Sequence, residues 1–214
     1  MLVKMPSIFK SRKAIFLAFL LPLLLNASSF VLKNDNLKPE VIKLIDKMGN
    51  ELLTKTTINA YIITTNEAFP VGFNLVEYSQ TFEKKMNKPY VLYIFAPNAL
   101  ITEKSEITGR VGIIPSAKDV AELYDYSDVR DAGLDIITVK DKNTLEDKQN
   151  IGVVQAYSEL ADNIADAKDV EMTTTIPNDT RTLISILRFI VVLGLILVTW
   201  IYFIRPIVMR KKND

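Results

Sequence analysis

Residues 90–96 have the sequence Tyr-Val-Leu-Tyr-Ile-Phe-Ala, and this stretch decides the fold. Its β-branched and aromatic side chains favour a strand. A nearly continuous apolar run of this length is typical of a central strand that is buried on both faces. Pro97 and Asn98 follow it directly and are expected to end the strand.

Helices and further strands flank this stretch on both sides. Val41, Leu44, Ile45, Met48 and Leu52 recur at helical spacing after Pro39, so a helix is predicted from that proline. Residues 58–65 alternate and predict a strand. A second amphipathic helix carries Leu75, Tyr78, Phe82 and Met86. Residues 30–36 are predicted to be a polar lead-in.

The order of these elements predicts an α/β fold of the α+β type, with a mixed sheet flanked by helices. The strand-helix-strand passage from 58 to 96 has the length of a crossover unit, so its two strands are expected to be parallel. Residues 106–114 predict an antiparallel neighbour, reached through a loop at 97–105. Gly109 and Gly112 in that neighbour indicate a bulge or a close backbone approach.

The last third of this domain is less regular. A short helix is expected after Pro115, and residues 134–139 fit a helix or a strand equally well. Residues 140–149 predict a charged loop, and residues 151–167 predict a closing helix. Residues 169–182 predict a polar linker.

The N-terminus is typical of a secretory signal peptide over residues 1–29. A basic segment ends at Lys13, the apolar run Ala14–Leu25 follows, and small residues occupy 27–29. Twelve apolar residues span only about 18 Å, which is short of the roughly 30 Å hydrocarbon core. An uncleaved N-terminal anchor is the alternative, and either case exports the domain at 30–168.

The C-terminus predicts one transmembrane helix over residues 183–204. Its one charge, Arg188, lies near the end, where it can extend to the interface or face a partner helix. Trp200 and Tyr202 have the position of interfacial aromatics. The tail at 205–214 follows with the basic residues Arg205, Arg210, Lys211 and Lys212. The positive-inside rule places that tail in the cytoplasm and the domain outside, in the periplasm. The alternative is a buried core helix.

Charge and composition exclude several classes of function. The chain has 26 basic and 25 acidic residues; residues 1–29 hold four basic and no acidic ones, and residues 182–214 hold five basic and one acidic one. The segment between them keeps 17 basic against 24 acidic residues, a net charge of −7, which argues against nucleic-acid binding. The chain has no Cys and no His, so thiol nucleophiles and Ser-His-Asp triads are excluded.

Several segments between residues 31 and 167 resemble the TPM domain family. They are Val31–Lys38 with Asp35 as its acid, Asn59–Thr65, Lys88–Pro97, Arg110–Ile113 and the helix Val153–Ile164. The chain departs from the family at Lys84–Asn87, where a Trp-Gly motif is usual, and at 109–112, where Glu-Val-Gly is usual. The resemblance implies a mixed sheet covered by helices in a bacterial envelope protein with a signal peptide and a membrane anchor. Phosphatase activity and calcium binding are attributed to the plant members.

Two sets of acidic residues are candidate sites. Asp125, Asp128 and Asp131 lie three residues apart and can offer oxygen ligands to Ca²⁺ if they lie on a turning backbone, although a solvated acidic loop explains the same pattern. Glu103 and Glu106 lie at the long loop 97–105, where partner surfaces are frequent, and are candidates for partner binding.

These features predict an interaction module that is anchored in the membrane and supports an envelope or inner-membrane protein complex. No catalytic constellation is recognisable, and no cofactor is expected apart from Ca²⁺ at the acidic string. The alternative is a metal-dependent phosphatase that uses Asp125, Asp128 and Asp131. Lipid binding or a transport accessory role also fits.

Overall fold

The computed structural model describes residues 29–103, 108–177 and 179–204, without the side chains of 179–188, 203 and 204. It divides the chain into two units, Met1–Thr175 and Ile176–Asp214. Residues 1–28 of the signal peptide predicted at 1–29 lie outside the described residues, as do the basic residues Arg205, Arg210, Lys211 and Lys212.

The first unit is a four-stranded mixed sheet with helices. Its strands are β1 (Val31–Asn34), β2 (Asn59–Thr64), β3 (Tyr90–Leu100) and β4 (Thr108–Pro115). They lie in the order β1-β2-β3-β4; the first two pairings are parallel and the third is antiparallel. The predicted parallel pair, the antiparallel neighbour and the central position of residues 90–96 are confirmed.

The helices of this unit are α1 (Pro39–Thr56), α2 (Leu75–Gln80), α3 (Lys118–Ala121), α4 (Tyr126–Thr138) and α5 (Leu145–Asp166). A single 3₁₀ turn, Glu83–Lys85, follows α2. The predicted second helix is therefore shorter than expected, since Phe82 and Met86 lie outside it. The undecided segment 134–139 is helical through Thr138, and α5 begins at Leu145, inside the predicted charged loop.

Two other expectations were wrong. The lead-in at 30–36 contains β1, which pairs with β2 from Val31↔Ile62 to Asn34↔Thr64. Residues 97–100 belong to β3 and not to a loop, because the ladder resumes at Leu100↔Thr108 after a shift of register beyond Ala96. Gly109 lies beside this shift with φ +110°, which agrees with the predicted bulge, whereas the atoms nearest to Gly112 belong to the side chains of Leu75 and Ile94 and not to backbone.

The core is built around β3 and α5. Residues 59–64 of β2 and 90–96 of β3 are all buried, which the apolar run predicted for β3 but the alternation in β2 did not. The Tyr157 hydroxyl of α5 donates to the carbonyl of Ala60 at 2.7 Å and fixes the helix on the sheet. Residues 152–161 of α5 are buried without interruption, so the middle of this helix is enclosed and not merely amphipathic.

The second unit contains the helix α6 (Asp179–Thr199), which continues as a π-helical turn, Trp200–Ile204. The large apolar side chains at 189–202 are all exposed; Phe189 is 68% and Tyr202 71% exposed. Among the described residues, no helix is both long and apolar enough to cross a membrane. The transmembrane helix predicted at 183–204 therefore stays a prediction. The side chain of Arg188 lies outside the described part of the chain.

Candidate functional site

A cluster of polar side chains lies where β1 and β2 end. Its members, here called the strand-end cluster, are Lys33, Asp35, Thr65, Glu67 and Tyr78. The carboxyl ends of parallel strands meet at one edge of a sheet, which is the usual place for ligand sites in α/β folds. The cluster forms because β1 and β2 run parallel and, after a shift of register between Val31 and Lys33, place Lys33 opposite Ile63 and Asn34 opposite Thr64.

Lys33 is the centre of this cluster. Its ammonium group donates to Glu67, to the Thr65 hydroxyl at 3.0 Å and to the Tyr78 hydroxyl at 3.3 Å. Asp35 lies 3.4 Å from the same nitrogen and accepts a hydrogen bond from the Asn66 backbone N–H at 3.0 Å. The cluster is thus closed by bonds among its own members.

The electrostatics of the cluster favour fixed charges. The hydrogen bond to Glu67 raises the pKa of Lys33. The hydrogen bond from the Asn66 backbone lowers the pKa of Asp35, and the bond from Lys33 lowers that of Glu67. At neutral pH the amine therefore stays protonated and the two carboxylates stay ionised. Such groups bind and orient charges, but they are poorly suited to proton transfer or to amine nucleophilic attack.

A polar cavity of about 540 Å³ adjoins the cluster at the start of α1. Asp35, Lys38 and Glu146 lie in its lining. The Lys38 ammonium pairs with Asp147 at 2.5 Å, and the Asn150 side chain bonds the backbone of both Lys38 and Asn36. This part of the cavity wall is therefore tied to α5 by specific bonds.

A second concave surface follows the edge of the sheet. This groove, of about 480 Å³, is lined on one side by residues 72–76, along its floor by residues 110–114, and on the other side by Tyr126. Within the described ranges, β4 pairs with β3 alone, so its outer edge carries no further strand. The Arg110 guanidinium donates to the Phe73 carbonyl at 2.7 Å and joins the edge strand to the loop before α2.

An aromatic group supports the loop wall of the groove. Phe69 and Phe73 stack with ring centroids 4.2 Å apart, and Tyr78 meets Phe69 edge-on at 5.0 Å. Phe82 packs on Tyr78 in turn at 5.5 Å. Packing of this kind holds the loop in place without secondary structure.

The predicted acidic residues have defined positions on α4. Asp125 caps the helix, accepting from the backbone of Ser127 at 2.7 Å and of Asp128 at 3.1 Å. Asp131 pairs with Arg130 at 2.7 Å. The segment is therefore the start of a helix and not the turning backbone on which the predicted cation site depends.

The structure does not gather these carboxylates around one point. In the part of the chain that the structure describes, no group of three or more acidic side chains is arranged to hold a metal ion. The Ca²⁺ prediction on Asp125, Asp128 and Asp131 stays a prediction.

The partner-binding pair is placed only in part. Glu103 is an exposed turn residue shortly after β3, whereas Glu106 lies outside the described residues. Sequence reasoning missed both the strand-end cluster and the groove. A signal for the cluster was present, since polar residues follow two strands, but it could be used only once residues 31–34 were known to be a strand.

Comparison of the chain with models of known protein families finds no match. Comparison with curated proteins finds no similar sequence.

Proposed function

We propose that this chain is a TPM-like binding module of the bacterial cell envelope, anchored in the inner membrane by its C-terminal helix. It binds and stabilises other membrane or envelope proteins through the domain at 30–168. The observation that carries the proposal is the groove at the outer edge of β4, an edge with no partner strand among the described residues. Sheet edges of this kind are a common means of protein recognition.

The strand-end cluster supports a binding role over a catalytic one. The Lys33 amine stays protonated, and the carboxylates of Asp35 and Glu67 stay ionised. These three charged groups of the cluster are therefore paired with one another. A catalytic acid or base near neutral pH requires the opposite, a group whose pKa lies near 7.

The C-terminal helix supports the anchor. Its apolar side chains from Phe189 to Tyr202 are exposed on all sides, and helices of this composition are found in contact with lipid or with another apolar surface. The basic residues that follow are the usual cytoplasmic flank of a span.

In-cell crosslinking tests the proposal. The tagged full-length chain is crosslinked in the cells that produce it and then purified in mild detergent. The control joins residues 1–29 directly to 169–214, which keeps the export signal and the anchor and removes the domain. We expect defined membrane or envelope proteins to copurify with the full chain and to be absent from the control. Identical protein sets from both, or none from either, would reject the binding module.

A further inference from the structure

The backbone groups that β4 turns away from the sheet can be identified from its register. The Ser116 N–H donates to the Tyr90 carbonyl at 2.8 Å, and two residues further along, Leu92 faces Ile114. Hydrogen-bonded and non-bonded pairs alternate in an antiparallel ladder. The N–H and C=O groups of Val111 and Ile113 therefore point outward, into the groove.

One contact agrees with this assignment. The Tyr126 hydroxyl, which lies on the far wall of the groove, donates to the Val111 carbonyl at 3.4 Å. This is a long hydrogen bond for a hydroxyl donor, and Tyr126 is 44% exposed. Pro115 lacks an N–H, so the stretch that can pair with another strand ends before it.

The lining of the groove indicates its occupant. Residues 109–114 of β4 are all partly or fully buried, although they form the edge of the sheet, and residues 72–76 and Tyr126 line the groove on its two sides. Among the described residues, Arg110 is the one charged residue in this lining, so an extended chain with an acidic residue is complementary to the groove.

We propose that the outer edge of β4 binds an extended segment of a partner protein, which adds to the sheet as a fifth strand. This deepens the proposed function and rests on it. The segment pairs with the outward backbone groups of Val111 and Ile113. Residues 110–114 make the contact about 15 Å long, at the usual rise of ~3.3 Å per residue.

The side chains around the edge define the segment further. Gly112 lies next to the Leu75 side chain: a Cβ on Gly112 would be 3.2 Å from the Leu75 Cδ1. The Arg110 guanidinium donates a hydrogen bond to the Phe73 carbonyl. A guanidinium has five N–H donors and Arg110 gives one to Phe73, so a carboxylate on the partner strand can accept others. The partner is thus an extended, mainly apolar segment with an acidic residue at the Arg110 end.

The test uses the full-length protein in detergent micelles and a displayed library of eight-residue linear peptides as the probe. Val111→Pro removes one outward N–H, which an edge strand tolerates when no bond within the sheet is lost. Val111→Ala is the matched control, since it loses the same side chain and keeps the N–H. We expect enriched peptides with alternating apolar residues and one acid, whose affinity falls about tenfold or more in Val111→Pro and stays within about twofold in Val111→Ala.

A second measurement covers the case in which Val111→Pro fails to fold. In the wild type, an enriched peptide is expected to slow hydrogen exchange at the amides of Val111 and Ile113. Unchanged exchange at both amides, equal peptide affinity for a folded Val111→Pro variant, or a library without enriched peptides would each overturn the proposal. A wild-type dimer that Val111→Pro makes monomeric would assign the edge to a second copy and overturn it as well.

Crosslinking separates this proposal from the one it rests on. If Val111→Pro copurifies the same envelope proteins as the wild type, the proposed binding module is supported and the proposed pairing at the β4 edge is rejected. If neither variant copurifies any, the binding module itself falls.

Discussion

Glu51 on α1 holds the chain that leaves the first unit. Its two carboxylate oxygens accept four hydrogen bonds, from the backbone N–H and the hydroxyl of both Thr173 and Thr174, at 2.5–2.9 Å. Lys55 lies 2.7 Å from the same carboxylate and donates to the Glu171 carbonyl. The polar segment that the sequence predicted to be a linker is therefore fastened to α1 along residues 171–174.

These bonds give the stability of the domain a defined pH dependence. Burial opposes ionisation, but the hydrogen bonds from Lys55, Thr174 and Thr173 outweigh it and lower the pKa of Glu51 from its ordinary 4.5 to about 2. Because the folded pKa is the lower one, the contribution of Glu51 is full above about pH 4.5 and is lost as pH falls towards 2. We expect Glu51→Gln to lower the free energy of unfolding by about 2 kcal/mol at pH 7.

Denaturant unfolding of the full chain at a series of pH values measures this effect. The variant should approach the wild type in stability as pH falls from about 4.5 towards 2. Glu122→Gln on the exposed end of α3 is the control and should cost less than about 0.5 kcal/mol at pH 7. A Glu51→Gln deficit that stays constant across this pH range would show that the carboxylate charge is not what holds the segment.

Local sequence patterns predicted the helices and strands in which apolar residues form a continuous run or recur at a regular spacing. The helical spacing of α1 predicted its start at Pro39, and the apolar run of β3 predicted that strand through Ala96, four residues short of its end. β1 was missed because it has only four residues, two of them polar, at the edge of the sheet, and only its pairing with β2 makes it a strand. The start of α5 was missed because its first turn is charged and is stabilised by the cap at Thr144.

The strand-end cluster could not be predicted for a related reason. Lys33 and Asp35 lie some thirty residues from Thr65 and Glu67 in sequence. They meet because β1 pairs in parallel with β2, and Tyr78 joins them from α2. Contacts of this kind follow from topology, which no local pattern contains. The groove at β4, by contrast, could have been anticipated in part, since an antiparallel strand at 106–114 was predicted.

The crossing of α4 and α5 depends on two glycines. A Cβ at Gly152 would lie 2.7 Å from the Gly133 carbonyl oxygen, and a Cβ at Gly133 would lie 2.9 Å from the Gly152 oxygen. Both obstacles are backbone atoms, so the helices would have to move apart. We expect Gly152→Ala to destabilise the protein by about 2 kcal/mol, although alanine alone would favour the helix by about 1 kcal/mol.

Thermal unfolding followed by circular dichroism checks this, with an expected fall in Tm of roughly 4–8 °C. Gly112→Ala is the comparison, because its new methyl group would meet the movable Leu75 side chain at 3.2 Å instead of backbone. Its effect should stay below about 1 kcal/mol. An increase in Tm for Gly152→Ala would mean that helix propensity outweighs the close approach at this crossing.

At the scale of the whole molecule, the distribution of charge and apolar surface predicts the topology in the membrane. An acidic domain at 30–168 is flanked by two apolar segments with basic residues, and the sequence predicts that the C-terminal one, at 183–204, spans the bilayer. We expect the full chain to remain in the membrane pellet after a carbonate wash, and a chain ending at residue 182 to be released. A green fluorescent protein fused after Asp214 should fluoresce, since it folds in the cytoplasm, whereas alkaline phosphatase at the same site should be inactive. Reversed reporters would place the tail outside, and release of the intact chain by carbonate would show that α6 covers its apolar surface by some means other than lipid.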